Sequence, residues 1–169
     1  MLKGGDSVRY LRRFVWYIAS RLFIVLLLIG ILTVTFYYAM NATNIYVVIK
    51  DGMARRAQVI MMDEPLSSLD SYFTGTWIER DQLLQSAVNG TGPYQNVSVT
   101  GIDHRISLSR VWCWPWESTA SATVTERIPS IDGKSVTGSV PAWEGGRYTM
   151  ILTRESGNWK IQDITEAAP

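Results

Sequence analysis

Nineteen consecutive residues without a charge, Leu22 to Met40, limit this chain more than any other feature of it. As an α-helix rising ~1.5 Å per residue the run is about 28 Å long, close to the hydrocarbon thickness of a bilayer. Phe14, Trp16 and Tyr17 precede it and Tyr37 and Tyr38 close it. Amphipathic rings in those places suit the two lipid interfaces, and Arg21 can extend its charge to the nearer headgroups. The sequence therefore predicts one transmembrane helix over 22–40, with Trp16, Arg21, Tyr37 and Tyr38 as its anchors.

Lys and Arg give the orientation. Lys3, Arg9, Arg12, Arg13 and Arg21 precede the span against one acid, Asp6, whereas Asn41 to Ile49 holds no basic residue. Positive-inside logic makes 1–21 a cytoplasmic basic tail and 41–169 an exported domain of a cell-membrane protein. From Asn41 onward there are eleven basic and fourteen acidic residues, a net charge near −3, so attachment to an anionic leaflet is expected from the helix alone. A cleaved signal peptide is the rival reading. Its apolar core runs to roughly 7–15 residues before a small-x-small site, and the run here is longer and ends in Phe-Tyr-Tyr-Ala-Met-Asn-Ala.

Composition removes whole classes of function. One Cys and one His leave no internal disulfide and no zinc site of the usual kind, and a net charge of +1 gives no footprint for nucleic acid. No cofactor or metal is expected. Gly133-Lys134-Ser135 imitates the end of a P-loop, but Ile128 stands where the first glycine is required.

Beyond the span, Ile45, Ile49, Met53, Ala57, Ile60 and Met61 recur every three or four residues, with Lys50, Arg55 and Arg56 off that stripe, which predicts an amphipathic helix. Asp63-Glu64-Pro65 ends it and opens another carrying Leu66, Leu69 and Phe73, interrupted at Gly75. Thr76 and Glu79 match a capping box for a short helix that stops at Asn89-Gly90. From Tyr94 the period becomes two. Val97 to Leu108 reads as a long strand with a bulge at Gly101; Trp112, Trp114 and Trp116 share a face of the next segment, which Pro115 marks as an edge. Thr119 to Ile128 alternates, Asp132-Gly133 signals a hairpin, and Tyr148–Thr153 turns through Ser156-Gly157-Asn158 into Trp159 and Ile161. Helices first and an antiparallel meander afterwards predict an α+β fold.

The element order, the segment Leu69-Asp70-Ser71-Tyr72-Phe73-Thr74, and the closing hairpin from Tyr148 to Ile161 with its Trp159-Lys160-Ile161 signature resemble the cone-shaped nuclear transport factor two-like superfamily over roughly residues 44 to 166. With the basic tail and single span, the whole chain is similar in topology to the inner-membrane assembly factor of type IV secretion and conjugation systems. The resemblance implies helices packed on a curved sheet, and an exported scaffold that self-associates and contacts other envelope proteins. No partner-binding motif of that family is matched residue by residue.

The same superfamily includes isomerases and dehydratases that work inside the cone, which makes His104, Glu126, Tyr148 and Asp163 the pocket candidates, since each falls in phase with apolar strand neighbours. The bland reading of His104 is a hydrogen-bonded strand residue. Trp112, Trp114 and Trp116 are the candidates for a partner interface, against a core-packing alternative, and Cys113 reads as a small buried hydrophobe. A membrane-anchored scaffold is the leading expectation, with ligand sensing in the cone second and catalysis third.

Overall fold

In a computed structural model, residues 4–136 and 138–167 are described, the side chains of 4–8 excepted; the expected contribution of Lys3 and the Asp6 carboxylate to the basic tail lies outside them. Contacts divide the chain into two compact units, Met1–Ala39 and Met40–Pro169. One helix, α1 (Gly4–Met62), contains both the apolar run and the amphipathic stripe. In the first unit it is long and apolar enough to cross a membrane, and its side chains from Leu22 to Tyr37 are exposed.

The second unit is α+β. After α1 come a single 3-10 turn at Leu66–Leu69, two short helices, α2 (Gly75–Arg80) and α3 (Gln82–Val88), and four strands, β1 (Val97–Trp112), β2 (Thr119–Ser135), β3 (Arg147–Glu155) and β4 (Asn158–Glu166). The strands form one antiparallel meander in chain order. The predicted stripe is the buried one: Ile45, Ile49, Met53, Ala57, Ile60 and Met61 are all core residues, together with Ala120, Ala122, Val124, Met150, Leu152 and Ile161 from the sheet. Gly52 allows the helix to sit close, since a Cβ there would lie 3.0 Å from the Tyr72 Cβ. The outer edge of β4 is covered in part by the segment before α2: Ile161 N–H donates to Tyr72 O at 2.7 Å, and Thr74 N–H donates to Ile161 O at 3.0 Å. That pairing blunts an edge which would otherwise invite another strand.

Four local expectations change. Asp63 takes φ 55 and ends α1, but Pro65 opens only the 3-10 turn rather than a helix. Gly75 starts α2 instead of interrupting a helix, so Thr76 falls inside it and the Thr76/Glu79 capping box does not form. The cap that does form is Asp81 at the start of α3, whose carboxylate accepts from Leu83 N–H at 3.0 Å and Leu84 N–H at 3.4 Å. Asp132-Gly133 is not a hairpin: both residues lie inside β2, paired with Gly101 and Val99. A Cβ at Gly133 would come 2.8 Å from Ser98 O, so the glycine serves a close strand approach rather than a turn.

The long first strand is irregular where the sequence changes phase. Register shifts fall between Val99 and Gly101, between Asp103 and Arg105, and between Leu108 and Arg110. The middle one stands opposite Pro129, which has no N–H to give to a ladder. Gly157 (φ 88) and Ser156 (φ 51) supply the two left-handed residues of the tight β3–β4 turn, as the sequence predicts.

Candidate functional site

Arg56 organises a cavity of the second unit. It leaves α1 beside the predicted stripe and reaches Asp81 with two nitrogens, Nε at 2.6 Å and Nη2 at 3.3 Å. Its guanidinium also lies over the rings of Trp77 and Trp143, 5.7 and 5.6 Å from their centroids. Asp81 thus holds an N-terminal cap and an ion pair at once, and the pair is nearly dry, with 12% and 6% of the two side chains exposed. Around it opens a cavity of about 630 Å³, walled by Met53, Tyr94, Pro141, Tyr148, Ile164 and Glu166 among others. That volume suits a small organic ligand.

Tyr148 lines this cavity opposite Glu166 on β4. Burial pushes its phenol above the ordinary value, the Glu126 and Glu166 carboxylates add to the rise, and Arg56 opposes it. Burial likewise raises Tyr94, whose hydroxyl donates to Pro141 O at 3.3 Å. Asp163 edges the same cavity. The shift of register at the Ile151–Leu152 step, however, pairs it with the exposed Ile151, so it does not share the inward face of Tyr148 as its sequence phase suggests.

His104 and Glu126 do meet, with Nε2 to Oε1 at 2.8 Å and only 7% and 1% of their side chains exposed. The other Glu126 oxygen accepts from Trp143 Nε1 at 3.3 Å. Neither lines the large cavity; Glu126 borders a shallower recess with Trp143, Gly145 and Gly146. The carboxylate therefore fixes the connection between β2 and β3, which is further held by Glu126 N–H donating to Gly146 O at 2.9 Å. Gly145 has to be glycine because a Cβ would collide with Glu126 O. Of the four pocket candidates, two form this buried network and two edge the cavity. Among the described residues no group of three or more metal-binding side chains comes together.

The tryptophans occupy a different place. β1 ends at Trp112, and 113–118 is a turn rather than the predicted edge strand, with Glu117 N–H donating to Trp114 O at 3.2 Å. Trp112 meets Trp114 edge-on at 5.6 Å, and Trp116 stacks on Trp114 at 5.1 Å. Trp112 is 55% and Trp116 70% exposed, so the core-packing alternative does not apply to them. Cys113 between them is fully buried, and burial raises its thiol, against a lowering by Arg154. Arg154 ties this turn to the start of the unit: its N–H donates to Ser118 O at 2.8 Å and its Nη2 to Asn41 Oδ1 at 2.6 Å.

On the first unit, Trp16 and Tyr37 are exposed, and the Arg21 guanidinium lies 5.3 Å from the Tyr17 ring. Arg56, Asp81 and Trp143 are the site residues that sequence reasoning passed over. Against this geometry, no protein-family profile, no curated protein and no solved structure matches the chain.

Proposed function

We propose that this chain is a single-pass membrane protein, N-terminus in the cytoplasm, whose second unit works outside the membrane as a scaffold or interaction module of a multiprotein envelope complex. The exposed Trp112–Trp114–Trp116 turn carries the reading. Monomeric surfaces seldom present stacked indoles, while protein interfaces are enriched in them at their energetic centres. Arg154 links the turn to Asn41 within the second unit, through Ser118 O and Asn41 Oδ1. The meander, the bulged first strand and the Trp159-Lys160-Ile161 hairpin support a nuclear transport factor two-like cone for this unit.

The test is crosslinking in cells from a photoreactive residue placed at Glu117, read by mass spectrometry. Discrete membrane-protein adducts that vanish in a Trp112→Ala/Trp116→Ala double variant are expected. Recovery of an uncomplexed monomer from gently solubilised membranes would defeat the proposal, as would a reporter fused after Pro169 that faces the cytosol. A second reading, a small ligand in the cavity, is favoured by its volume of about 630 Å³ and by Tyr148, whose hydroxyl has no hydrogen-bond partner among the described residues.

A further inference from the structure

The outward face of the sheet carries an arrangement that a free surface does not favour. Arg105 on β1 and Arg127 on β2 are direct cross-strand partners. Two residues along on the same face, Ser107 opposes Thr125, and Thr125 in turn opposes Arg147 at the start of β3. Three guanidinium groups and two hydroxyls therefore share one side of three adjacent strands, and Arg110, opposite Thr123, stands one pair further along the same side. Like charges directly opposite each other destabilise a sheet unless something lies between them.

The counter-charge on this face is thin. Asp103 satisfies Arg105, with its carboxylate accepting from Nη2 at 2.6 Å and from Nε at 3.1 Å. Arg127 and Arg147 form no ion pair or side-chain hydrogen bond among the described residues, and both are exposed. Two shallow recesses flank Arg127: one is lined by Arg105, Ser107, Thr125, Arg127 and Pro129, the other reaches Arg147 past Gly145 and Gly146. The register shift opposite Pro129 ends the regular pairing there and leaves the first recess open.

We propose that this face binds a phosphate group, gripped by Arg127 and Arg147 and hydrogen-bonded by the Ser107 and Thr125 hydroxyls, with Arg105 contributing charge at the edge. Guanidinium groups present paired N–H donors that match phosphate oxygens two at a time, and hydroxyls donate to the oxygens that remain. A tetrahedral, multiply charged oxyanion offers enough acceptors for donors on three strands, whereas one carboxylate has only two oxygens. A bound phosphate would turn the Arg105–Arg127 repulsion into attraction through the shared anion. The net charge near −3 beyond the span makes this local patch a specific site rather than a general polyanion surface.

The phosphate has two sources, an anionic lipid headgroup or a soluble phosphate ester, and the test separates them. The full chain in nanodiscs of zwitterionic lipid is titrated calorimetrically with inorganic pyrophosphate. In parallel, the same nanodisc-held chain is floated with separate vesicles of phosphatidylcholine alone or with added phosphatidylglycerol. Saturable binding in either arm, weakened about tenfold or more by Arg127→Gln/Arg147→Gln and unaffected by Lys50→Gln on the exposed side of α1, is the expected result. Affinity should also fall as salt rises. Pyrophosphate binding assigns a soluble ester, and flotation only with phosphatidylglycerol assigns the headgroup. No binding in both arms, or binding that the double variant keeps, would overturn the site. Unchanged thermal unfolding of the double variant shows that it is folded. Because neither readout involves the tryptophan turn, failure here leaves the scaffold reading standing, and the reverse also holds.

Discussion

Two ends of the second unit use the same residue types in opposite ways. At the cavity end, Arg56 is paired in two-pronged fashion with Asp81 and enclosed by Trp77 and Trp143, while Trp143 gives its N–H to Glu126. At the turn after β1, three indoles pack against one another and two of them are exposed. Where aromatic and charged groups have satisfied each other internally they hold the fold. Where they have not, they remain available to something outside. The contrast makes a graded claim: substitutions at the first end should cost stability and those at the second should cost partners.

The largest effect is expected at Arg56. Arg56→Ala leaves the Asp81 carboxylate buried and without its counter-charge, a change that costs about 3–5 kcal/mol when a buried pair is broken. The two cap hydrogen bonds to α3 moderate the loss without replacing the guanidinium. Chemical unfolding of the detergent-solubilised chain measures it, and Arg56→Lys should recover only part, since an ammonium lacks the fork and the flat face. A stability within error of the parent would mean that the pair is not structural and that the comparison fails at its first step.

Next comes Glu126→Leu, which leaves Trp143 Nε1 and His104 Nε2 without their acceptor; one buried group left unpaired costs about 1–3 kcal/mol. Gly145→Ala attacks the same connection from the other side. It forces a methyl against Glu126 O, and overpacking of this kind costs about 1–3 kcal/mol. The two losses should not add, because both loosen the same strand connection, and a double variant read by thermal melting would show it.

What the sequence discloses of this molecule follows the range of the interactions. The buried stripe of α1 is legible because a helix repeats over neighbours, and the Tyr148–Ile161 hairpin because its turn residues are adjacent. Asp132-Gly133 misleads because a local turn signal is overruled by pairing with Val99 and Gly101 some thirty residues earlier. Asp81 escapes notice since Thr76 and Glu79 offer a more familiar cap five residues upstream, although an Asp directly before Gln82-Leu83-Leu84 is itself a readable helix start. Arg56 looks like a solvated off-stripe charge until Asp81 is brought to it. Trp143 sits in a segment without periodicity, so nothing local says that it closes a cavity. His104 and Glu126 have the right phase, yet their meeting depends on a register irregularity beside Pro129 that no single strand reveals.

A smaller effect separates the cavity from the rest by pH. Tyr94 and Tyr148 have phenols raised above their ordinary value of 10.0, mainly by burial. The folded state then keeps these protons more tightly than the unfolded chain does. Their contribution is fully present below pH 10 and is lost as pH rises through the folded values. Alkaline unfolding of Tyr148→Phe should accordingly begin at higher pH than that of the parent, with no difference at neutral pH beyond the missing hydroxyl. An unchanged alkaline limb would show that the phenol is not held neutral by the fold.

The smallest effect on stability belongs to the turn, and it decides the comparison. Trp116 is 70% exposed and stacks on Trp114, so Trp116→Ser should move the unfolding free energy by no more than about 0.5 kcal/mol. The same substitution should sharply reduce crosslinked partner in cells, because an indole at the centre of an interface contributes far more to association than an exposed one does to folding. A variant that is destabilised while keeping its partner would reverse the assignment, making the stacked indoles part of the structural frame. A variant as stable as the parent and deprived of its partner would leave the turn as the surface through which this unit is recognised.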